Sequence, residues 1–93
     1  MKLTFVNAQE MHQAYPATFD VPTAAELSAI KPGDSVKVCA ADERFWVTVT
    51  AVNDSEIQGT VDNALVFTDD HGLGYGDAIA FRREHIYDVM AAA

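Results

Sequence analysis

One cysteine, six basic side chains and a single tryptophan are spread over 93 residues, and each scarcity closes off a class of function. Cys39 alone can form neither an internal disulfide nor a thiolate metal site, which fits a reducing compartment and excludes a redox framework. Fourteen acids against the six bases leave a formal charge of −8. Nucleic-acid binding draws on cationic side chains that neutralise phosphates, so no nucleic-acid partner is expected. Basic or uncharged partners are more compatible, although the same charge also serves solubility. No apolar run approaches the roughly 20 residues of a membrane-spanning helix. Met1-Lys2-Leu3-Thr4-Phe5-Val6 passes into Asn7, Gln9 and Glu10 too early for the apolar stretch of a signal peptide. A cytoplasmic protein with no membrane partner is the expectation.

Spaced motifs of chemistry are also missing. His12, His71 and His85 lack the i, i+4 spacing of a helical metal motif, and Asp69-Asp70-His71 runs into Gly72-Leu73-Gly74 without the terminal glutamate of a calcium loop. The glycine-rich Gly72-Leu73-Gly74-Tyr75-Gly76 has no lysine and no Ser/Thr of a phosphate-binding loop, and reads as a loop anchored by Tyr75. Cys39 sits within a β-type run, away from any helix N-terminus that would lower its pKa, so it reads as an inert packed thiol. No catalytic residue, metal or cofactor is expected. An enzyme using Cys39 or His85 is the weakest of the functional readings.

The strongest positive signal is Glu43-Arg44-Phe45-Trp46-Val47-Thr48-Val49-Thr50, an unbroken β-type run between two turn signals. Before about Ile30 the chain is Ala-rich with helix signals. Thr23-Ala24-Ala25-Glu26 has the form of a capping box and predicts a short helix over Ala24 to Ala29, ended by Lys31-Pro32-Gly33. Asn7-Ala8-Gln9-Glu10 has the same spacing and predicts a second brief helix, with Met11 and Tyr15 on one face, before Pro16. Beyond it, Ser35 to Ala40, the tryptophan run and Glu56 to Val61 predict a three-stranded antiparallel meander. A short piece over Leu65-Val66-Phe67-Thr68 and a last strand over Ala78 to Phe81 follow.

Gly33-Asp34-Ser35-Val36-Lys37-Val38 is echoed by Gly76-Asp77-Ala78-Ile79-Ala80-Phe81, each reading as a turn that launches a strand. The fold class is α+β, mainly β: a small, strongly bent antiparallel sheet or a β-barrel, with one or two short N-terminal helices. Residues 1–18 form an extension packing on the sheet, 19–89 the barrel-like domain, and 90–93 a frayed tail.

Alternation assigns the faces. Phe45, Val47, Val49 and Ala51 point to the core with Val36, Val38, Ala40, Ile57, Val61, Ile79 and Phe81. Gly59 falls on that inward side, where a missing side chain either relieves crowding or marks a bulge. Trp46 emerges on the other face near Lys37 and Cys39. The N-terminal segment brings Phe5, Val6, Met11, Tyr15 and Phe19, which also need burial. Folded across that second face they make Trp46 their anchor, and otherwise the indole is open to a ligand. The first arrangement is favoured, because a large exposed aromatic patch is unusual unless it binds something.

The order Phe19-Asp20-Val21-Pro22, Lys31-Pro32-Gly33-Asp34-Ser35-Val36-Lys37-Val38, Glu43-Arg44-Phe45-Trp46-Val47, Gly59, Asp62-Asn63, Tyr75-Gly76-Asp77 and His85-Ile86 resembles a family of small uncharacterised bacterial domains. The resemblance runs from Phe19 to about Val89 and implies an SH3-like or related small β-barrel without a settled activity. Its hallmark positions here are Arg44, Trp46, Gly59, Asn63, Gly76, Asp77 and His85. The glycines and Asp77 have turn explanations, whereas Arg44, Trp46, Asn63 and His85 suit a buried polar network or a recognition surface. With His71 and Tyr75 at the rim, these residues are expected to form a non-enzymatic site for a protein partner. An acidic blocker of a cationic partner is the alternative.

Overall fold

The computed structural model describes residues 5–15, 21–40, 43–62 and 73–91 of the chain. The Ala41-Asp42 turn, the Leu65-Val66-Phe67-Thr68 piece, the Asp69-Asp70-His71 loop, Asn63 and Phe19 lie outside them. Both sequence-predicted helices form. Helix α1, Ala8–Ala14, is capped by Asn7, whose Oδ1 accepts the Glu10 amide at 3.0 Å. Helix α2, Ala24–Ser28, carries the capping box in full: the Glu26 amide donates to Thr23 Oγ1 and the Thr23 amide to Glu26 Oε1, both at 3.1 Å. Two amides that the helix itself cannot pair are thereby satisfied.

Strands β1 (Ser35–Ala40), β2 (Glu43–Val52), β3 (Ile57–Val61), β4 (Ala78–Phe81) and β5 (Asp88–Met90) form one antiparallel sheet in the order β4-β3-β2-β1-β5. The first four make a meander. A single 3-10 turn, Arg83–His85, then carries the chain from β4 at one edge to β5 at the other. A β4–β5 ladder would close this order into a barrel, and the sheet remains open there. Its edges meet instead through side chains: Phe5, bridged to Ala40 at the β1 edge, packs edge-on against Phe81 of β4 at 5.9 Å between ring centroids. Such a contact requires a strongly bent sheet. Met90, expected in a frayed tail, instead closes β5 opposite Ser35, because the free edge of β1 offers it a ladder partner.

The alternation predicts the inner face well up to Val49. Val36, Val38, Ala40, Phe45, Val47, Val49, Ile57, Val61, Ile79 and Phe81 form one buried cluster with Ile30, Leu73 and Ile86. Ala51 is the exception, being exposed. Val49 pairs with Gly59 and Ala51 with Gln58, so Thr50 is an extra residue and the parity of β2 flips. Ala51 turns outward with Gln58, and Val52 packs on the core in its place opposite Ile57. Opposite this bulge, a Cβ on Gly59 would stand 2.5 Å from Val47 Cγ1 and 2.6 Å from the Thr48 carbonyl oxygen. Glycine is required by the close approach of β3 to β2, so both proposed reasons for it hold together.

The sequence echo is a repeated turn. In Lys31-Pro32-Gly33-Asp34 and Gly74-Tyr75-Gly76-Asp77 the third residue has φ of +97° and +84°. In each the aspartate amide donates to the first residue's carbonyl at 3.1 Å, while its carboxylate accepts the first residue's amide, at 3.1 Å for Asp34 and 2.8 Å for Asp77. Each turn also exchanges two backbone bonds with the neighbouring strand, at Val49 and at Val61. Only Asp34 is buried, and it also accepts from Lys31 Nζ at 3.2 Å.

Two substitutions test these packing constraints. Gly59→Ala is expected to destabilise the fold by roughly 1–3 kcal/mol through overpacking. At about 4–8 °C per kcal/mol for a domain near this size, a thermal melt resolves that easily. Asp34→Ala should cost about 1–3 kcal/mol by removing the buried carboxylate that accepts from the Lys31 amide, and Asp77→Ala, whose carboxylate is exposed, should cost measurably less in the same melt.

Candidate functional site

The outer face of the sheet is built from the residues that alternate with the core. Lys37 of β1 stands directly opposite Trp46 of β2, with Asp88 of β5 opposite Lys37 on its other side. On the far side of Trp46, the Asp62 amide donates to the Trp46 carbonyl at 2.9 Å. The row across the face thus reads Asp88, Lys37, Trp46, Asp62. The Lys37 ammonium lies 4.9 Å from the indole centroid, a cation–π contact that fixes the ring against the sheet. Thr48, next along β2 on this face, donates its hydroxyl to Asp62 Oδ2 at 3.4 Å. Trp46 is half-buried, and both acids are exposed.

The neighbouring row is closed. Cys39 stands opposite Arg44 and is buried in a small cluster with Ala8 and Tyr87, against which Val6 and Val21 pack. The Arg44 guanidinium lies 4.7 Å from the Tyr87 ring centroid. Burial, together with the nearby Cys39 thiol, raises the Tyr87 pKa above the ordinary tyrosine value, and Arg44 partly offsets this. The Val6 amide donates to the Cys39 carbonyl at 2.9 Å, securing the N-terminal segment along this row.

The arrangement combines the two alternatives posed for Trp46. Among the described residues, the N-terminal segment crosses the outer face at Cys39 and Tyr87, while Trp46 is half-buried. Phe5 goes to the inner side instead, because its bridge to Ala40 puts it on the same parity as the core residues of β1. Tyr15 remains exposed beyond the end of α1.

The expected site residues divide accordingly. Arg44 and Trp46 occupy adjacent rows of one face. Tyr75, expected to anchor its loop, is instead 72% exposed at the tip of the second Gly-Asp turn, where an i+1 side chain points away from the strands it joins. That turn is bonded to Val61, the residue before Asp62. His85 is separate: its ring packs on Phe5 at the seam between the sheet edges, 5.9 Å between centroids. Asn63 and His71 lie outside the described residues.

Lys37, Asp62, Asp88 and Tyr87 were not singled out from sequence as site residues. For Lys37 the signal was present in its outward parity on β1. For Asp88 and Tyr87 it was absent, since β5 is too short to announce itself.

Among the described residues no three His, Cys, Asp or Glu side chains are grouped as a metal site would need, and no helix is long and apolar enough to cross a membrane. Arg82 and Arg83 have separate duties. Arg82 makes a long, exposed ion pair with Glu84 at 3.7 Å, of the kind that contributes little, while Arg83 donates to the carbonyls of Asn53 and Asp54 and ties the 3-10 turn to the β2–β3 hairpin. The open part of the face is the amphipathic row of Asp88, Lys37, Trp46 and Asp62. No protein-family model, curated protein or solved structure matches this chain.

Proposed function

We propose that this protein is a non-enzymatic binding module that engages a protein partner through the outer face of the sheet around Trp46. The observation that carries the reading is the half-buried indole with the Lys37 ammonium over its ring on a polar sheet face, and exposed acids at both ends of its row. A tryptophan in that setting offers a rigid apolar surface at small entropic cost, and such residues dominate the energetics of protein interfaces. Arg44 extends the surface along one side and Tyr75 along the other. The SH3-like barrel resemblance and a cytoplasmic setting accord with such a module.

A second reading narrows the partner to a cationic one, as a blocker or mimic would require. Asp62 and Asp88 bound the row, and the −8 charge of the whole chain would steer a basic protein toward it. Under that reading, affinity falls as salt is added. Catalysis by Cys39 or His85 draws less support, because Cys39 is packed beneath Ala8 and His85 is engaged at the seam with Phe5.

Affinity capture from a cell extract with immobilised wild type and Trp46→Thr, a variant that keeps the β preference of the strand, tests the proposal. A partner retained by wild type should lose about 2 kcal/mol or more of binding to Trp46→Thr, roughly 30-fold in Kd. Ser55→Ala, altered at the exposed β2–β3 hairpin, should bind as wild type does. Equal retention by wild type and Trp46→Thr contradicts the reading.

A further inference from the structure

Phe5 of the N-terminal segment packs at the seam of the sheet against Phe81 and against one imidazole, whose tautomer is set by its partner. His85 Nδ1 lies 3.1 Å from the Arg82 backbone nitrogen. A backbone amide can only donate, so Nδ1 must present a lone pair and the single ring proton belongs on Nε2. The same ring packs on Phe5, the bridge residue of the N-terminal segment, at an interplanar angle of 34°. Next to it, Glu84 Oε2 accepts from Asn7 Nδ2 at 3.5 Å, and Asn7 is the residue whose Oδ1 caps α1. Helix α1 in turn packs on the Arg83–His85 turn. One short turn therefore holds both Phe5 and the start of α1.

We propose that protonation of His85 releases the N-terminal segment, residues 5–15, from the seam and uncovers Cys39 and Tyr87. A proton added at Nδ1 places a donor against the Arg82 amide, so the bond that shapes the turn is lost and two donors face each other. The ring must then swing away from Arg82, and in doing so it leaves Phe5. With the imidazole gone, the Phe81 contact and Ala40 bridge of Phe5, the Asn7–Glu84 bond and the Val6 bond to the Cys39 carbonyl are the ties that must then give way.

The charged and titratable groups around the latch are few. On its own turn the Glu84 carboxylate favours the imidazolium and Arg82 opposes it, with Arg83 directed to the β2–β3 hairpin. Helix α1 brings Glu10 and His12, the hairpin brings Asp54 and Glu56, and Phe5 brings none. Burial outweighs the Glu84 attraction and holds the His85 pKa below its ordinary 6.5. A folded-state pKa below the unfolded one means that the latch contributes fully above about 6.5 and fails as pH falls through the folded value.

An NMR titration of the wild-type chain from about pH 7.5 to about pH 5, the range in which histidines change charge, tests this. The expected result is a His85 midpoint below 6.5, with the Val6 amide, bonded to the Cys39 carbonyl, losing protection at the same midpoint. Cys39 should then become reactive toward an acid-tolerant aromatic disulfide. In His85→Asn, whose Oδ1 can accept the Arg82 amide without titrating, the pH response of Val6 should vanish. A Val6 amide that stays protected through the wild-type His85 titration would overturn the proposal even if the variant failed to fold. So would the same response persisting in His85→Asn.

Discussion

The structure depends on the place where β3 crosses close to β2 at Gly59. A side chain there would collide with Val47 and with the Thr48 carbonyl, and just beyond it Thr50 has no ladder partner. The extra residue bends β2 and reverses its parity, so that Val52 rather than Ala51 continues the inner face. A sheet bent in this way wraps its apolar side inward far enough for Phe5 at one edge to reach Phe81 at the other. The 3-10 turn at Arg83–His85 spans the remaining gap, and the buried Ile86 fills it from within. Five short strands thereby enclose a core without completing a closed ladder.

Enclosing the core on one side leaves the other side for different work. On the outer face the same alternation sets out Asp88, Lys37, Trp46 and Asp62 in one row and Tyr87, Cys39 and Arg44 in the next. Two cations lie against two aromatic rings, which holds the rings in place and leaves a surface that is both rigid and amphipathic. The described residues of the N-terminal segment cover the Cys39 row. Coverage of one row, fastened through His85 and Glu84, and partial exposure of the other give the face a closed half and an open half.

Much of this was legible in particular residues. The run from Arg44 to Val49 fixed strand, face and core in one reading, and the repeated Gly-Asp announced two turns that proved alike down to their backbone bonds. Capping residues Asn7 and Thr23 placed both helices. What escaped was non-local. The parity flip at Thr50 depends on the approach of Gly59 from another strand, and no pattern within β2 records it. β5 exists because β1 has a free edge to pair with, and three residues carry too little periodicity to signal that. The covering of Cys39 by the N-terminal segment follows from the bridge at Phe5, which is likewise a contact between distant parts of the chain.

The claim on which the rest stands is that the parity of β2 seals Phe45, Val47 and Val49 inside and leaves Trp46 half open on the other face. With one tryptophan in the chain, acrylamide quenching of the native fluorescence reports on that residue alone. The account predicts quenching intermediate between that of the unfolded chain and that of a fully buried indole. An indole wholly protected from quencher in the native protein would contradict it.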